Sequence, residues 1–155
     1  MVDVQIRPIT EMNKSEALAL RVHPEQETFI ETVEECLEEA AEVPNWQPVA
    51  LYAAEKIVGF AMYGSFGPQK DTCIDRILID QNEQGKGYGK AAMLRLIDIV
   101  MEQYEVNRVY LSFVEANQSI GKFYQKLGFE DIGEKDQNGE LIYRYQLPEK
   151  KEENE

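Results

Sequence analysis

Asp75-Arg-Ile-Leu-Ile-Asp-Gln-Asn-Glu-Gln84-Gly-Lys-Gly-Tyr-Gly89-Lys-Ala-Ala-Met-Leu-Arg-Leu-Ile97 is the stretch from which the rest of the chain can be read. Ile77, Leu78 and Ile79 form a short apolar run of strand character, and a polar turn follows. A glycine-rich loop then opens a long helical pattern. Glycines let the backbone approach a ligand closely, and a helix start points free N–H groups outward. Those donors and the helix dipole together make an anion site. The spacing is Q-x-x-G-x-G. It differs from G-x-x-x-x-G-K-[ST], because no Ser or Thr follows Lys90 to hold Mg²⁺. It also differs from G-x-G-x-x-G, and no acidic residue stands at the ribose position downstream. The expected ligand is a phosphate-bearing cofactor held without metal. A strand-to-helix turn that uses glycine for geometry alone is the competing reading.

A second stretch, Asn117-Gln-Ser-Ile-Gly-Lys-Phe-Tyr124-Gln-Lys-Leu-Gly-Phe129, decides between them. Gln84-x-x-Gly87-x-Gly89 followed by Asn117 and Phe123-Tyr124-x-Lys126-x-Gly128-Phe129 resembles the GCN5-related N-acetyltransferase (GNAT) family, over nearly the whole chain. The resemblance implies transfer of acetyl from acetyl-CoA to an amine. It implies that Ile77, Leu78 and Ile79 offer backbone groups to the pantetheine arm. It also implies that Gln84, Gly85, Lys86, Gly87, Tyr88, Gly89 and Lys90 hold the pyrophosphate. Asn117 is expected on the cofactor arm and Lys126 near its phosphates. Tyr124 stands where the family keeps its general acid. A phenol with a pKa near 10 can protonate a thiolate of pKa about 8.5. Ala116 separates Glu115 from Asn117, a departure from the usual spacing that leaves Glu115 without an expected role.

Composition bounds the alternatives. At 155 residues the chain fits one domain, expected over 1–148 with a charged tail at 149–155. No apolar run is long enough to span a membrane, and no signal peptide is seen, so the cytoplasm is the expected location. Cys36 and Cys73 make no disulfide framework, and a single His23 rules out multi-histidine metal sites; no metal is expected. A net charge of −13 argues against nucleic acid and can draw in cationic ligands. The expected partner is a small cationic amine, with a homodimer as the candidate assembly.

The remaining pattern predicts the order β-α-α-β-β-β-α-β-α-β-β, an α/β (α+β) fold with a mixed, mostly antiparallel sheet flanked by helices. Val2, Val4 and Ile6 alternate as a strand that Pro8 ends, and Asn13 or Ser15 can cap a short helix through Leu20. Thr32-Val-Glu-Glu35 is a capping box for a helix with Val33, Cys36, Leu37, Ala40 and Ala41 on one face. Trp46 is expected in the loop between Pro44 and Pro48. Val49–Ala53 and Ile57–Tyr63 read as a hairpin, and Gly64–Asp71 as a loop. After Gly89, Leu94, Ile97, Met101 and Tyr104 share a helix face; Gly128 stops the next helix, and Asn138-Gly139 turns a closing hairpin.

The acceptor amine must lose a proton before it attacks. At a Lys-like pKa near 10.4 this costs about 4–5 kcal/mol at pH 7. Asp75, on the central strand, is the candidate base, with a β-bulge or a pairing with Arg76 as its structural alternative. Glu34, Glu35, Glu38, Glu39 and Glu42 line one helix face beyond Glu25, Glu27 and Glu31. The segments Ile30-Glu31-Thr32, Pro48-Val-Ala-Leu-Tyr52, Val58-Gly-Phe-Ala-Met-Tyr-Gly64 and Ile74-Asp75-Arg76 resemble the bacterial polyamine-acetylating members of the family. That resemblance implies spermidine or spermine as acceptor, with Glu27, Glu31, Glu34, Trp46 and Asp75 as substrate residues. The alternatives are a protein amine, an aminoglycoside, or a non-catalytic acetyl-CoA sensor.

Overall fold

The computed structural model describes residues 2–24 and 32–147, the side chain of Gln118 excepted. The elements follow the expected order: β1 (Gln5–Pro8), α1 (Lys14–Leu18), α2 (Val33–Glu42), β2 (Trp46–Ala53), β3 (Lys56–Phe66), β4 (Asp71–Ile79), α3 (Tyr88–Tyr104), β5 (Arg108–Phe113), α4 (Gln118–Leu127), β6 (Glu130–Lys135) and β7 (Leu141–Gln146). A single 3-10 turn, Gln81–Glu83, links β4 to the glycine loop. The seven strands form one sheet in the order β1-β2-β3-β4-β5-β7-β6. Every neighbouring pair is antiparallel except β4 and β5.

That exception shapes the molecule. β4 and β5 are joined at one register pair, Cys73 with Tyr110, and splay apart beyond it. On its other side β4 stays paired with β3 as far as Ile79. Among the described residues, no strand of the sheet pairs with the β5-facing backbone edge of residues 75–79. A register shift between Met62 and Tyr63 skips Asp75, which sits as the extra residue of a β-bulge.

Two cores cover the faces of the sheet. α3 buries Ala92, Met93, Leu96, Ile97, Val100 and Met101 against Leu51, Val58, Val109 and Leu111. On the opposite face Ala17, Leu20, Val33 and Cys36 pack on Phe60, Met62 and Leu78. α2 starts as expected: Glu35 N–H donates to Thr32 Oγ1 at 3.1 Å, and Thr32 N–H donates to Glu35 Oε1 at 2.9 Å.

Several boundaries differ from the sequence reading. Val2 is exposed and β1 begins only at Gln5, which pairs with Tyr52 of β2. Asn13 is the N-cap residue of α1 but makes no side-chain bond to the helix; its side chain accepts from Thr10 N–H at 2.8 Å and donates to the Pro8 carbonyl at 3.1 Å, closing the preceding turn. Ala41 is exposed at the end of α2. Leu94 is also exposed, lying roughly 110° around α3 from the centre of its buried stripe. Trp46 is not in a loop but opens β2, where it pairs with Gly64 and packs edge-on against Phe66. Pro48 is tolerated inside β2 because β1 pairs only from Val49 onward, so no ladder donor is lost there. The expected tail at 149–155 lies outside the described residues.

Candidate active site

The splay between β4 and β5 opens a cleft of about 370 Å³, within the range of small-ligand sites. Its walls are the end of β4, the glycine loop, the first turn of α3, the end of β5 and one face of α4. Gln84 Nε2 donates to the Ile79 carbonyl at 2.9 Å and folds the loop back on the strand. Gly85 (φ +80°) and Gly87 (φ +87°) then turn it in the left-handed region that glycine adopts without strain. Gly87 is the N-cap of α3 and has no side chain to cover the first N–H groups. A Cβ added at Gly85 would meet nothing within 4 Å. The corner is thus an open helix start with donors facing the cleft.

Of the residues singled out from sequence, Asp75, Ile77, Leu78, Ile79, Gln84, Gly85, Gly87, Tyr88, Gly89, Lys90, Asn117 and Tyr124 all line this cleft. Lys86 does not. Its ammonium pairs with Glu83 at 3.0 Å, and Glu83 also pairs with Lys56, the first residue of β3. Glu83 is nearly fully buried, and these two partners hold its carboxyl below the usual carboxylate range. Lys126 is exposed in the last turn of α4, two residues and so about 200° round the helix from Tyr124. Trp46 lies away from the cleft in its contact with Phe66. Glu34 borders a separate hollow of about 930 Å³ between α1 and α2, with Glu35 and Glu38. That hollow meets the cleft at Val22 and Leu78, which line both. Glu27 and Glu31 lie outside the described residues.

Tyr124 is 7% exposed, and its ring packs against Phe113, Phe123 and Phe129 with centroids 5.5–5.7 Å apart. Burial pushes its phenol well above the ordinary value, and the positive charge of Arg76 opposes that shift. Arg76 also meets Asp75: its Nη1 donates to the Asp75 carbonyl at 2.7 Å and stands 3.3 Å from Oδ2. Both structural alternatives weighed for Asp75, the bulge and the Arg76 pairing, are therefore present, and Asp75 still lines the cleft. Cys73 is pushed up to about 12, first by burial and then by Asp75 and Asp71. It carries almost no thiolate near neutral pH, the form a nucleophile needs. Among the described residues no group of His, Cys, Asp and Glu could hold a metal ion, and no helix is long and apolar enough to cross a membrane.

The structure adds residues that sequence reasoning missed: Arg76, Ser112, Phe113, Ile120, Phe123 and Glu140 also line the cleft. Arg76 was legible as the neighbour of Asp75. Ser112 and Glu140 were not, since they meet only when β5 and β7 pair.

The sequence profile of the acetyltransferase (GNAT) family matches residues 9–129. A spermine/spermidine N(1)-acetyltransferase of Bacillus subtilis (strain 168) is 39% identical over 148 residues, covering 91% of this chain and 97% of that protein. Among solved structures, a domain from Methanocaldococcus jannaschii superposes with TM-score 0.73 at 20% identity, covering 95% of this chain and 100% of that one. An N-acetyltransferase from Thermoplasma acidophilum, solved in complex with coenzyme A, superposes with TM-score 0.68 at 13% identity, covering 94% and 99%. At those identities the two structures speak for the fold alone.

Proposed function

The chain belongs to the acetyltransferase (GNAT) family, and from that premise we propose that it transfers acetyl from acetyl-CoA directly to a primary amine of a polyamine, spermidine or spermine. The observation that carries the reaction is the cleft between the splayed strands, with an open helix start at one end and buried Tyr124 beside it. The polyamine follows from the Bacillus relative, matched along almost its whole length.

The residues present fit acetyl-CoA. The β5-facing edge of β4 offers amide and carbonyl groups to a pantetheine chain, in the manner of an added strand. The uncapped start of α3 and Lys90 offer donors and charge to the pyrophosphate. Nothing beside Gly85 blocks a ligand there. When bound, acetyl-CoA supplies the activated acetyl thioester. Asn117 lines the same cleft as a polar contact for the arm.

Tyr124 holds the proton that a leaving thiolate needs. Burial disfavours its phenolate, but a thiolate leaving beside it is destabilised by the same loss of solvation, and Arg76 favours the phenolate. Asp75 accepts the proton that the amine must lose. Glu34 would hold a distal ammonium group by way of the hollow that joins the cleft at Val22, and Glu27 and Glu31, outside the described residues, are the further carboxylates proposed for that role. Trp46 is the least placed of the proposed substrate residues, given its packing on Phe66.

The test is a thiol-release assay with acetyl-CoA across spermine, spermidine, a monoamine, an aminoglycoside and a protein N-terminal peptide. The expected result is a kcat/KM highest for the polyamines and rising with pH, since the reacting nitrogen must be neutral. Comparable kcat/KM for all five acceptors would reject the reading.

A further inference from the structure

We propose that Glu140 is the carboxylate through which the cleft recognises the positive charge of its acceptor, a specificity-determining role distinct from the proton-accepting role of Asp75. The inference rests on the polyamine reading above. Glu140 ends the β6–β7 turn and lines the cleft although it belongs to neither of the two motif stretches. One side chain organises that turn. Asp136 Oδ1 accepts from the N–H groups of Asn138 (2.8 Å) and Glu140 (2.9 Å). The backbone closes the same ring: Asp136 N–H donates to the Glu140 carbonyl and Gly139 N–H to the Asp136 carbonyl, each at 2.9 Å. The main chain of Glu140 is therefore held on both sides, which fixes the point from which its side chain leaves the turn.

The side chain is aimed by Ser112, whose Oγ donates to Glu140 Oε1 at 3.1 Å. Ser112 is two residues beyond Tyr110, the last point at which β5 pairs with β4, and so stands on the far wall of the split from Asp75. The charges of the two walls differ. Asp75 shares its charge with Arg76 at 3.3 Å. Glu140 has a neutral hydroxyl as its hydrogen-bond donor, and no ion pair reaches it among the described residues. A half-buried carboxylate accepts hydrogen bonds and donates none, and a cation is the partner that offsets its lost solvation. A second ammonium of the same polyamine, a chain of several methylenes away from the reacting nitrogen, has that chemistry.

The experiment compares wild type, Glu140→Gln and Ser112→Ala in steady-state acetylation, with spermidine and a monoamine of similar length at one ionic strength. Glu140→Gln keeps the shape and an acceptor for Ser112 while removing the charge. The ratio of kcat/KM for spermidine over the monoamine is expected to fall about 10- to 100-fold, the factor for losing a hydrogen bond to a charged group. The fall should lie in the spermidine KM, with the acetyl-CoA KM within about twofold of wild type, and its salt dependence should flatten. Ser112→Ala should lower the same ratio by a smaller factor, which keeps the test open if Glu140→Gln fails to fold. A wild-type ratio well above one that neither variant lowers overturns the role of Glu140 alone. A wild-type ratio near one overturns the polyamine reading, and this role with it.

Discussion

Gly85 and Gly67 form a matched pair that separates ligand binding from folding. Both hold a left-handed backbone, φ +80° and φ +74°, and a Cβ at either would meet nothing within 4 Å. Alanine in that region costs about 1–2 kcal/mol, offset by about 0.4–1 kcal/mol from the stiffer unfolded chain. Each Gly→Ala variant should therefore lose about 1 kcal/mol and melt roughly 2–4 °C lower in a chain of this size. Their surroundings differ. Gly67 turns between β3 and β4, whereas Gly85 lines the cleft at the start of α3. The empty space beside Gly85 is where the pyrophosphate is proposed to lie. A methyl group there would push a phosphate off at least one backbone donor. That loss, about 1.5–3 kcal/mol for a hydrogen bond to a charged group, weakens acetyl-CoA about 10- to 100-fold. Isothermal titration with acetyl-CoA should show this for Gly85→Ala and a wild-type Kd for Gly67→Ala. Equal Kd values in two folded variants would refute the placement of the phosphate site.

Tyr124→Phe keeps the three ring contacts and removes only the hydroxyl, so turnover is expected to fall about 10²- to 10⁴-fold with acetyl-CoA affinity little changed; wild-type kcat with chemistry rate-limiting would sink the general-acid role. Because burial raises the folded pKa of Tyr124, the folded state holds its proton where the unfolded chain loses it. The stability this contributes is complete below about pH 10 and is lost as the pH climbs above it, so urea midpoints should drop more steeply above pH 10 in wild type than in Tyr124→Phe. Thr32→Ala breaks the reciprocal cap of α2 and should cost about 1 kcal/mol in chemical unfolding with unchanged acetyl-CoA affinity; a loss of affinity would tie α2 to the cofactor side of the molecule.

What the sequence revealed is what local physics decides. The Thr32–Glu35 box, the glycine corner at 84–89 and the Gly128 stop each lie within a few residues, and each formed as read. The element order was legible for the same reason. What failed were features that a distant partner decides. Trp46 joined β2 because Gly64, bare of a side chain, lets the indole lie across β3; a Cβ there would stand 2.9 Å from Trp46 Cε3. Leu94 matched a helical stripe by count, but the buried stripe is set by where the sheet lies, one step round the helix.

The site divides along the same line. The proposed cofactor wall could be located from sequence because its donors are backbone groups placed by glycines next to one another in sequence. The position of Lys86 outside the cleft was not legible, because the residue that holds it in an ion pair, Glu83, is itself anchored by Lys56, brought near by the β2–β3 turn. The proposed acceptor wall was the least legible, and Asp75 shows why. Side chains of consecutive residues on a regular strand point to opposite faces, so sequence allows Asp75 or Arg76 to address a given face. The bulge at Asp75 breaks that alternation and brings the two side chains within 3.3 Å at the cleft, where Arg76 also acts on Tyr124. A bulge adds one residue to one strand, and whether it forms depends on the partner β3. The link between the proposed base and the proposed acid therefore depends on the pairing of β3 with β4, which no motif in either strand encodes.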